Sequence, residues 1–387
     1  MAVYYVDFNA PVCGDGLTPE NPRNDLGFEK KGDTVLFKRG SIYRFGIESV
    51  SGATYGAYGE GEKPAFCGSV NLSQPEMWEN VGENIWRCTA LTDSEACNFI
   101  FNKGESFGAL RWCKEDLAEQ GDWFDTRIGS GDVEKKNILP EELLMYSIGN
   151  PAEFYQDIEC AQRVHRYLFT IADDIVIEDL AFINGGVHGV SGRVGGYNVT
   201  VRRCSFRNIG GAIFNREQRI RFGNGVEIWD RAKDILVEDC DFNQIYDSCV
   251  THQGGDECEI PENVVFRNNR FSNYGMAAYE CREHTPANGK FINNVCKNAG
   301  CGFSMLGENL PRMSEIWPQP MGHHLFMWRV YDGSPNGYLI VAENEFGDAP
   351  NGAAIYSIMD PAADAQVELI DNKYTGTYLI PDKIIRN

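Results

Sequence analysis

The sequence has no long apolar run, no paired-cysteine motif and no excess of positive charge. Its apolar stretches stay below the ~20 residues that a membrane-spanning helix needs. No Cys-x-x-Cys occurs among the 13 cysteines, which argues against a zinc or thioredoxin-like site. The 35 basic residues face 56 acidic ones, and a net charge of −21 disfavours nucleic acid and anionic membranes as partners.

A secretory signal pattern is also missing. Residues 1–11 have neither a basic region nor an apolar core. The odd number of cysteines fits small buried side chains in a reducing compartment better than a disulfide framework. We therefore expect a cytoplasmic protein, or a secreted one if a signal peptide has been removed. No cofactor and no metal are expected, since the adjacent His323 and His324 lack a third ligand.

What the chain does contain is a repeated strand pattern. Five segments combine alternating β-branched residues, a polar turn and a final aromatic residue: Asp174–Phe182, Asn198–Phe206, Asp234–Phe242, Asn263–Phe271 and Gly337–Phe346. Asn288–Cys296 and Val367–Tyr374 are weaker copies. Their last residues are 24, 36, 29, 25, 50 and 28 positions apart. A period in the twenties built of short strands is typical of a parallel β-helix.

This pattern predicts an all-β fold, a parallel β-helix that forms one domain over the whole chain. Residues 1–97 are expected to form an N-terminal cap and the first coils, 98–160 an inserted side module, and 161–387 the regular coils. The spacings of 36 and 50 residues between repeats require insertions near 215–224 and 306–337, and we expect these loops to form the sides of a cleft. The asparagines at the turns are expected to adopt left-handed bends and to stack. No helical 3.6-residue pattern recurs, which disfavours a doubly wound α/β sheet.

Several stretches resemble one known family. They are Tyr4–Asp7, Gly14–Pro22, Gly32–Gly40, Tyr55–Pro64, Asn224–Trp229 and Ile245–Gln253. They resemble bacterial right-handed parallel β-helix proteins of the pectin-lyase-like superfamily, over most of the chain. The resemblance implies that fold and a carbohydrate-active protein, but no single reaction, because the superfamily contains hydrolases, lyases, epimerases and tailspikes. The combined polygalacturonase motifs and the acidic calcium ligands of pectate lyases are not present.

The repeat also predicts a register between coils. Counted eight residues from the final phenylalanine of each repeat, one set of side chains points inward: Val190, Val250 and Tyr279. In the coil with the insertion, Val226 is matched to Val250 and is taken as inward too. The residues that follow them form an outward column: Ser191, Glu227, Thr251 and Glu280. A second column lies two positions further on: Arg193, Trp229, Gln253 and Arg282. Because in-register strands lie ~4.8 Å apart, Glu227 and Glu280 are expected roughly 9–10 Å apart at the backbone.

These columns and the neighbouring turns supply the candidate site. Candidate catalytic roles go to Glu227, Glu280, Asp247 and His252, because paired carboxylates and an imidazole can transfer protons. Substrate contacts are assigned to a set of aromatic, polar and charged residues: Trp229, Gln253, Arg282, Arg193, Asp230 and Trp317.

Each candidate also has a purely structural interpretation. Glu227 can be a surface carboxylate on a solvated strand face. Glu280 can form an ion pair with a neighbouring arginine. Asp247 can cap a turn. His252 falls at an inward position, where a hydrogen-bonded core histidine is expected. His188 is interpreted as a turn residue.

Three functions remain open from the sequence. The first is a glycoside hydrolase that cleaves a plant or microbial oligo- or polysaccharide, using one carboxyl as acid and another as base or nucleophile. The second is a polysaccharide lyase or epimerase on a uronate-containing glycan, with Arg193, Arg282 or His252 as base or cation. The third is a non-catalytic glycan-binding β-helix. We expect a carbohydrate partner, no nucleic acid and no membrane, with a homo-oligomer left open.

Overall fold

The fold is described from a computed structural model of the chain. It describes residues 1–90, 94–127, 141–164, 166–192, 195–254, 258–307, 322–328, 337–358 and 366–381. Three long parallel sheets, here called sheets A, B and C, dominate these residues, and the chain runs from A to B to C in each coil. The fold is a right-handed parallel β-helix, as predicted.

The strands of the three sheets are short and stack in register along the axis of the solenoid. Sheet A contains Val3–Val6, Thr34–Lys38, Thr54–Tyr58, Ile175–Glu178, Tyr197–Arg202, Lys233–Glu238, Glu262–Arg267, Gly289–Ile292, Leu339–Ala342 and Val367–Ile370. Sheet B contains Ile42–Tyr43, Ala65–Cys67, Ala181–Ile183, Ser205–Ile209, Asp241–Ile245, Arg270–Tyr274, Val295–Ala299, Glu345–Phe346 and Lys373–Tyr374. Sheet C contains Ile47–Glu48, Tyr167–Thr170, His188–Ser191, Val226–Trp229, Ser248–Gln253, Ala277–Arg282, His323–Trp328 and Ile355–Ile358.

The aromatic residues that end the repeats form a stack in the core of the solenoid, on the inner face of sheet B. Phe182 pairs with Phe206, Phe206 with Phe242, and Phe242 with Phe271. Their ring centroids lie 5.0, 4.4 and 5.1 Å apart, within the range of favourable ring–ring contact. The same position of the repeat continues with Cys296, which pairs with Phe271, and then with Phe346, which pairs with Cys296. The register expected from the sequence is therefore confirmed along this sheet.

Asparagine side chains stabilise the turn between sheets A and B. Asn294 donates from its amide to Phe266 O at 3.0 Å and accepts from the backbone N–H of Asn269 at 3.0 Å. The same pattern links Asn294 to Asn344, and Asn344 to Asn372, in the following coils. Other asparagines at the turns have positive φ, as expected for residues that tolerate the left-handed conformation. The predicted stacking of turn asparagines is confirmed.

Replacing Asn294 by alanine is expected to lower the free energy of unfolding by about 3 kcal/mol or more. The change removes the hydrogen-bond partners of buried backbone and side-chain amide groups. Each buried polar group that is left unsatisfied costs ~1–3 kcal/mol. The neighbouring Asn293 is exposed, has φ 53° and makes one hydrogen bond to Asn268 that solvent can replace. Asn293→Gly should therefore change stability little. Urea titration of both variants checks this, and equal losses would contradict a special contribution from the buried ladder.

Insertions leave the solenoid at the corner between sheets B and C. The largest contains two antiparallel sheets between the strands Ala65–Cys67 and Tyr167–Thr170. The first sheet comprises Ser69–Asn71, Ile158–Gln162, Ala96–Phe101 and Ser106–Phe107. The second comprises Trp78–Gly82, Ile85–Cys88, Leu143–Tyr146, Asp122–Asp125 and Ala109–Leu110. In the second sheet, Ala109–Leu110 pairs with Asp122–Asp125 in parallel. The two sheets enclose a separate apolar core around Phe99, Trp123 and Leu144. The module thus begins near residue 69, earlier than the expected residue 98.

The other insertions differ in part from those expected. A hairpin of Ala212–Asn215 and Ile220–Phe222 occupies the predicted insertion near 215–224. Within the expected loop at 306–337, however, His323–Trp328 is a regular strand of sheet C. The expectation of one continuous loop there is wrong, because this segment supplies the sheet C strand of its own coil. Residues 308–321 and 329–336 lie outside the described residues.

Helical structure is limited to single turns in the described ranges. They are the 3-10 turns Pro75–Met77, Asn102–Gly104, Lys114–Asp116 and Phe303–Met305, and the α-helical turn Pro151–Phe154. No helix in this part of the chain is long and apolar enough to cross a membrane. All 13 cysteines lie in described positions and are free thiols, and most of them are buried.

Candidate active site

The outward face of sheet C brings the two predicted glutamates into one column. Val226 pairs with Val250, and Val250 with Tyr279, so Glu227, Thr251 and Glu280 occupy the next outward position in successive strands. The column begins with Glu48, Thr170 and Ser191 and continues through Phe326 to Tyr356. One strand therefore separates the two glutamates, which corresponds to roughly 9–10 Å of backbone.

Glu227 is held by donors on both carboxylate oxygens. The Ser191 hydroxyl donates to Oε2 at 2.7 Å, and His188 Nε2 lies 3.2 Å from the same oxygen. The side-chain amides of Asn224 and Gln253 donate to Oε1. Only 5% of Glu227 is exposed, so these contacts replace water. The interpretation of Glu227 as a solvated surface carboxylate is therefore wrong.

Glu280 is fully buried and is oriented by two different donors. The Ser248 hydroxyl donates to Oε2 at 3.0 Å, and the indole N–H of Trp328 donates to Oε1 at 2.7 Å. Both partners come from neighbouring strands of sheet C, so the β-helix register itself positions this carboxylate.

A hydrogen-bonded chain runs along the second outward column. Gln253, which donates to Glu227, accepts through its Oε1 from Arg282 Nη1 at 2.6 Å. The Arg282 guanidinium lies 4.6 Å above the Trp328 ring centroid, and its Nε lies 2.7 Å from Glu283 Oε1. The predicted neighbours Trp229 and Gln253 pair directly in adjacent strands. Glu227 and Glu283 are therefore connected through two side chains.

Glu283 is a third carboxyl group of this region. It has φ 62°, lies at the corner after the strand Ala277–Arg282, and accepts from the backbone N–H of Gly254 at 3.1 Å. Burial raises the pKa of Glu283 to about 7; Glu280 adds to the rise, while Arg282 and the Gly254 N–H oppose it. A carboxyl group that titrates near neutral pH is a feature of acid–base sites.

Replacing Glu283 by glutamine is expected to stabilise the protein above neutral pH. The folded state holds the Glu283 proton up to about pH 7 whereas the unfolded chain loses it near 4.5, so stability falls as the pH rises between these values. The variant should be more stable by up to about 3 kcal/mol at pH 8 and gain nothing at pH 4.5. Urea titrations at both pH values test this, with the exposed Glu48→Gln as control; a gain at neither pH would contradict the assignment.

The two aspartates of the predicted site lie at opposite corners of sheet C. Asp247 is fully buried at the corner between sheets B and C, where its backbone N–H donates to Gly223 O and its carbonyl accepts from Met276 N. Asp230 follows the strand Val226–Trp229 and has φ 65°. A Cβ on Gly254 would lie 2.7 Å from Asp230 Oδ1, so the glycine leaves room for this carboxylate.

His252 does not reach the outward face. It alternates with Thr251 and lies inside the coil, where Nδ1 contacts the Tyr279 hydroxyl and Nε2 contacts His284 O at 3.0 Å. Burial lowers the pKa of His252 to about 4. Its assignment as a catalytic group is therefore wrong, and its interpretation as a hydrogen-bonded core histidine is confirmed.

Two predicted substrate contacts, Arg193 and Trp317, lie outside the described residues. His323 and His324, expected in a loop, are buried in a strand; His323 Nδ1 accepts from Ala353 N, and His324 Nε2 contacts Gly347 O. Among described residues, no group of three or more His, Cys, Asp or Glu side chains is arranged to hold a metal.

Comparison with solved structures finds the same architecture. A structure described as the complex of XylC with xylose matches 97% of this chain at 12% identity, with a TM-score of 0.56. This chain spans 62% of that longer protein. A protein described as a glycoside hydrolase matches over 97% of both chains at 8% identity, with a TM-score of 0.50.

The chain shares with these structures a right-handed parallel β-helix fold. Identities this low show the fold alone. No protein-family model matches the sequence, and no curated protein does.

Sequence reasoning missed three residues of this β-helix site. His188 begins a strand of sheet C, although it was interpreted as a turn residue, and Asn224 lies beside it at the same corner. Glu283 follows the predicted Arg282 at a corner. The register could not have found His188 and Asn224, because each precedes an inward valine by two positions and strand alternation would therefore place both side chains inward.

Proposed function

We propose that this chain is a glycoside hydrolase whose carboxylate pair is Glu227 and Glu280. The observation that supports this best is the outward column of sheet C, in which Thr251 alone separates the two glutamates. Both carboxylates are buried and oriented by specific donors, which is the preorganisation that proton transfer to and from a sugar requires.

The two glutamates have different roles in this proposal. Glu227 accepts hydrogen bonds from Ser191, Asn224 and Gln253, and such a donor set suits a carboxylate that activates water. Glu280 has fewer donors, Ser248 and Trp328, and we assign to it the role of the acid that donates a proton to the glycosidic oxygen. The two-strand spacing favours inversion of the anomeric carbon, since inverting pairs are separated by about 6.5–9.5 Å.

The residues around the pair provide contacts for a sugar. Trp229 is partly exposed on the same face as Glu227, so its ring can stack on a pyranose. Gln253 and Arg282 are linked to each other, and Asp230 lies at the adjoining corner. We propose these four residues as substrate contacts, with an oligo- or polysaccharide as the substrate.

The described residues support a hydrolase more than a lyase or epimerase. A lyase needs a base near the sugar C5 proton and a cation to neutralise the uronate. His252 faces the interior, and the positive charge of Arg282 is already balanced by Glu283, which leaves no free cation for a uronate at this position. The outward column, in contrast, offers two carboxylates.

A glycan panel tests this proposal. It should begin with xylo-oligosaccharides, because the XylC structure is described with xylose bound. We expect new reducing ends without the ultraviolet absorbance of an unsaturated product, and NMR should show an inverted anomer at first. An unsaturated product would favour a lyase, and binding without cleavage would favour a non-catalytic glycan-binding protein.

A further inference from the structure

We infer that His188 is a positioning residue for Glu227, acting as a neutral Nε2–H donor and not as an acid or base. This inference rests on the proposed function for its catalytic consequence. The geometry that supports it involves three residues of adjacent coils: His188, Asn224 and Glu227.

The protonation state of the imidazole follows from its partner at Nδ1. The backbone N–H of Asn224 donates to His188 Nδ1 at 3.2 Å. A backbone amide can only donate, so Nδ1 carries no proton. The single proton of the neutral ring then sits on Nε2, which lies 3.2 Å from Glu227 Oε2. The protein backbone therefore selects the tautomer that faces the carboxylate.

Two aromatic rings fix the orientation of the imidazole. Tyr167 stacks on His188 with centroids 5.8 Å apart and an interplanar angle of 24°. Phe222, from the inserted hairpin, approaches edge-on at 5.4 Å. His188 is 2% exposed, so water does not compete for its nitrogen atoms. The hairpin thus contributes to the site by holding the imidazole in place.

Asn224 connects the imidazole, the carboxylate and the next coil. Its backbone N–H donates to His188, its side-chain amide donates to Glu227 Oε1, and its Oδ1 accepts from Ser248 N. Ser248 in turn donates to Glu280. One corner of the solenoid therefore fixes the positions of both proposed catalytic carboxylates.

Glutamine and asparagine substitutions separate positioning from proton transfer. The amide nitrogen of glutamine can occupy the place of His188 Nε2, whereas that of asparagine reaches only the place of Nδ1. His188→Ala and His188→Asn should lower kcat by about 10²-fold with little change in KM, because a misplaced catalytic group costs about that much. His188→Gln should keep kcat within about threefold and leave the pH profile unchanged. Thermal melting shows that each variant is folded.

A second measurement does not depend on activity. ¹⁵N NMR of the imidazoles is tractable with six histidines in the chain, and the His188 signals are those lost in His188→Gln. We expect an unprotonated Nδ1 and a protonated Nε2 around neutral pH. A proton on Nδ1, or a glutamine variant as impaired as alanine, would overturn the inference. If no glycan is cleaved, the proposed function fails while the NMR result still decides the tautomer.

Discussion

Glu227→Gln is expected to lower the rate of glycan cleavage by about 10²–10⁴-fold, the usual contribution of a general acid or base. Glu280→Gln should have an effect of the same order, because the two carboxylates act on opposite sides of one glycosidic bond. Initial rates on the best glycan of the panel, at saturating substrate, measure both effects. Binding of the glycan should be largely retained, since glutamine keeps the size of the side chain.

Glu48→Gln is the matched control for these variants. Glu48 lies in the same outward column of sheet C, next to Thr170, but it is exposed and three strands away from Glu227. Its replacement should leave both activity and stability unchanged. If Glu227→Gln and Glu280→Gln cleave as fast as Glu48→Gln, the carboxylate pair is not the catalytic pair.

Acidification below pH 6.5 is expected to destabilise the protein strongly. Burial lowers the pKa of His252 and His324 to about 4 and that of His323 to about 3. The unfolded chain takes up protons on these histidines below about pH 6.5, whereas the folded chain does not, so stability falls as the pH falls. At pH 5 each histidine should cost about 2 kcal/mol relative to pH 8, and the three together about 6 kcal/mol.

The pH dependence can be assigned with a single variant. Glu283 acts in the opposite direction, since its raised pKa favours the folded state at pH 5 by about 3 kcal/mol relative to pH 8, so the expected net loss from these four groups is about 3 kcal/mol. His252→Phe should be less stable at pH 8, because His284 O loses its hydrogen bond to the imidazole, yet its stability should fall by about 2 kcal/mol less between pH 8 and pH 5. Urea titrations at both pH values measure this; an unchanged slope would contradict a neutral buried His252.

The central column could be predicted because the repeat carries its own register. Val190 and Val250 each lie eight residues after the final phenylalanine of their repeat, whereas Val226 follows the hairpin insertion and is placed by matching it to Val250. Strand alternation then places Glu227 outward. The repeat therefore predicts the column, even though Glu227 and Glu280 lie far apart in the sequence.

Other features depended on contacts that no local pattern reports. The side module begins at Ser69 because that strand pairs with Ile158–Gln162, almost ninety residues later. His323–Trp328 joins sheet C through pairing with Ala277–Arg282 across a long insertion. The raised pKa of Glu283 arises from burial at a corner, which the sequence does not show.

A crystal structure of Glu227→Gln with the oligosaccharide that the wild-type protein cleaves would show where the substrate lies relative to the two glutamates. We expect a sugar on the outward face of sheet C, with the glycosidic oxygen between residues 227 and 280 and a ring against Trp229. A sugar bound on the antiparallel sheets of the side module, or on sheet A or B, would contradict this expectation.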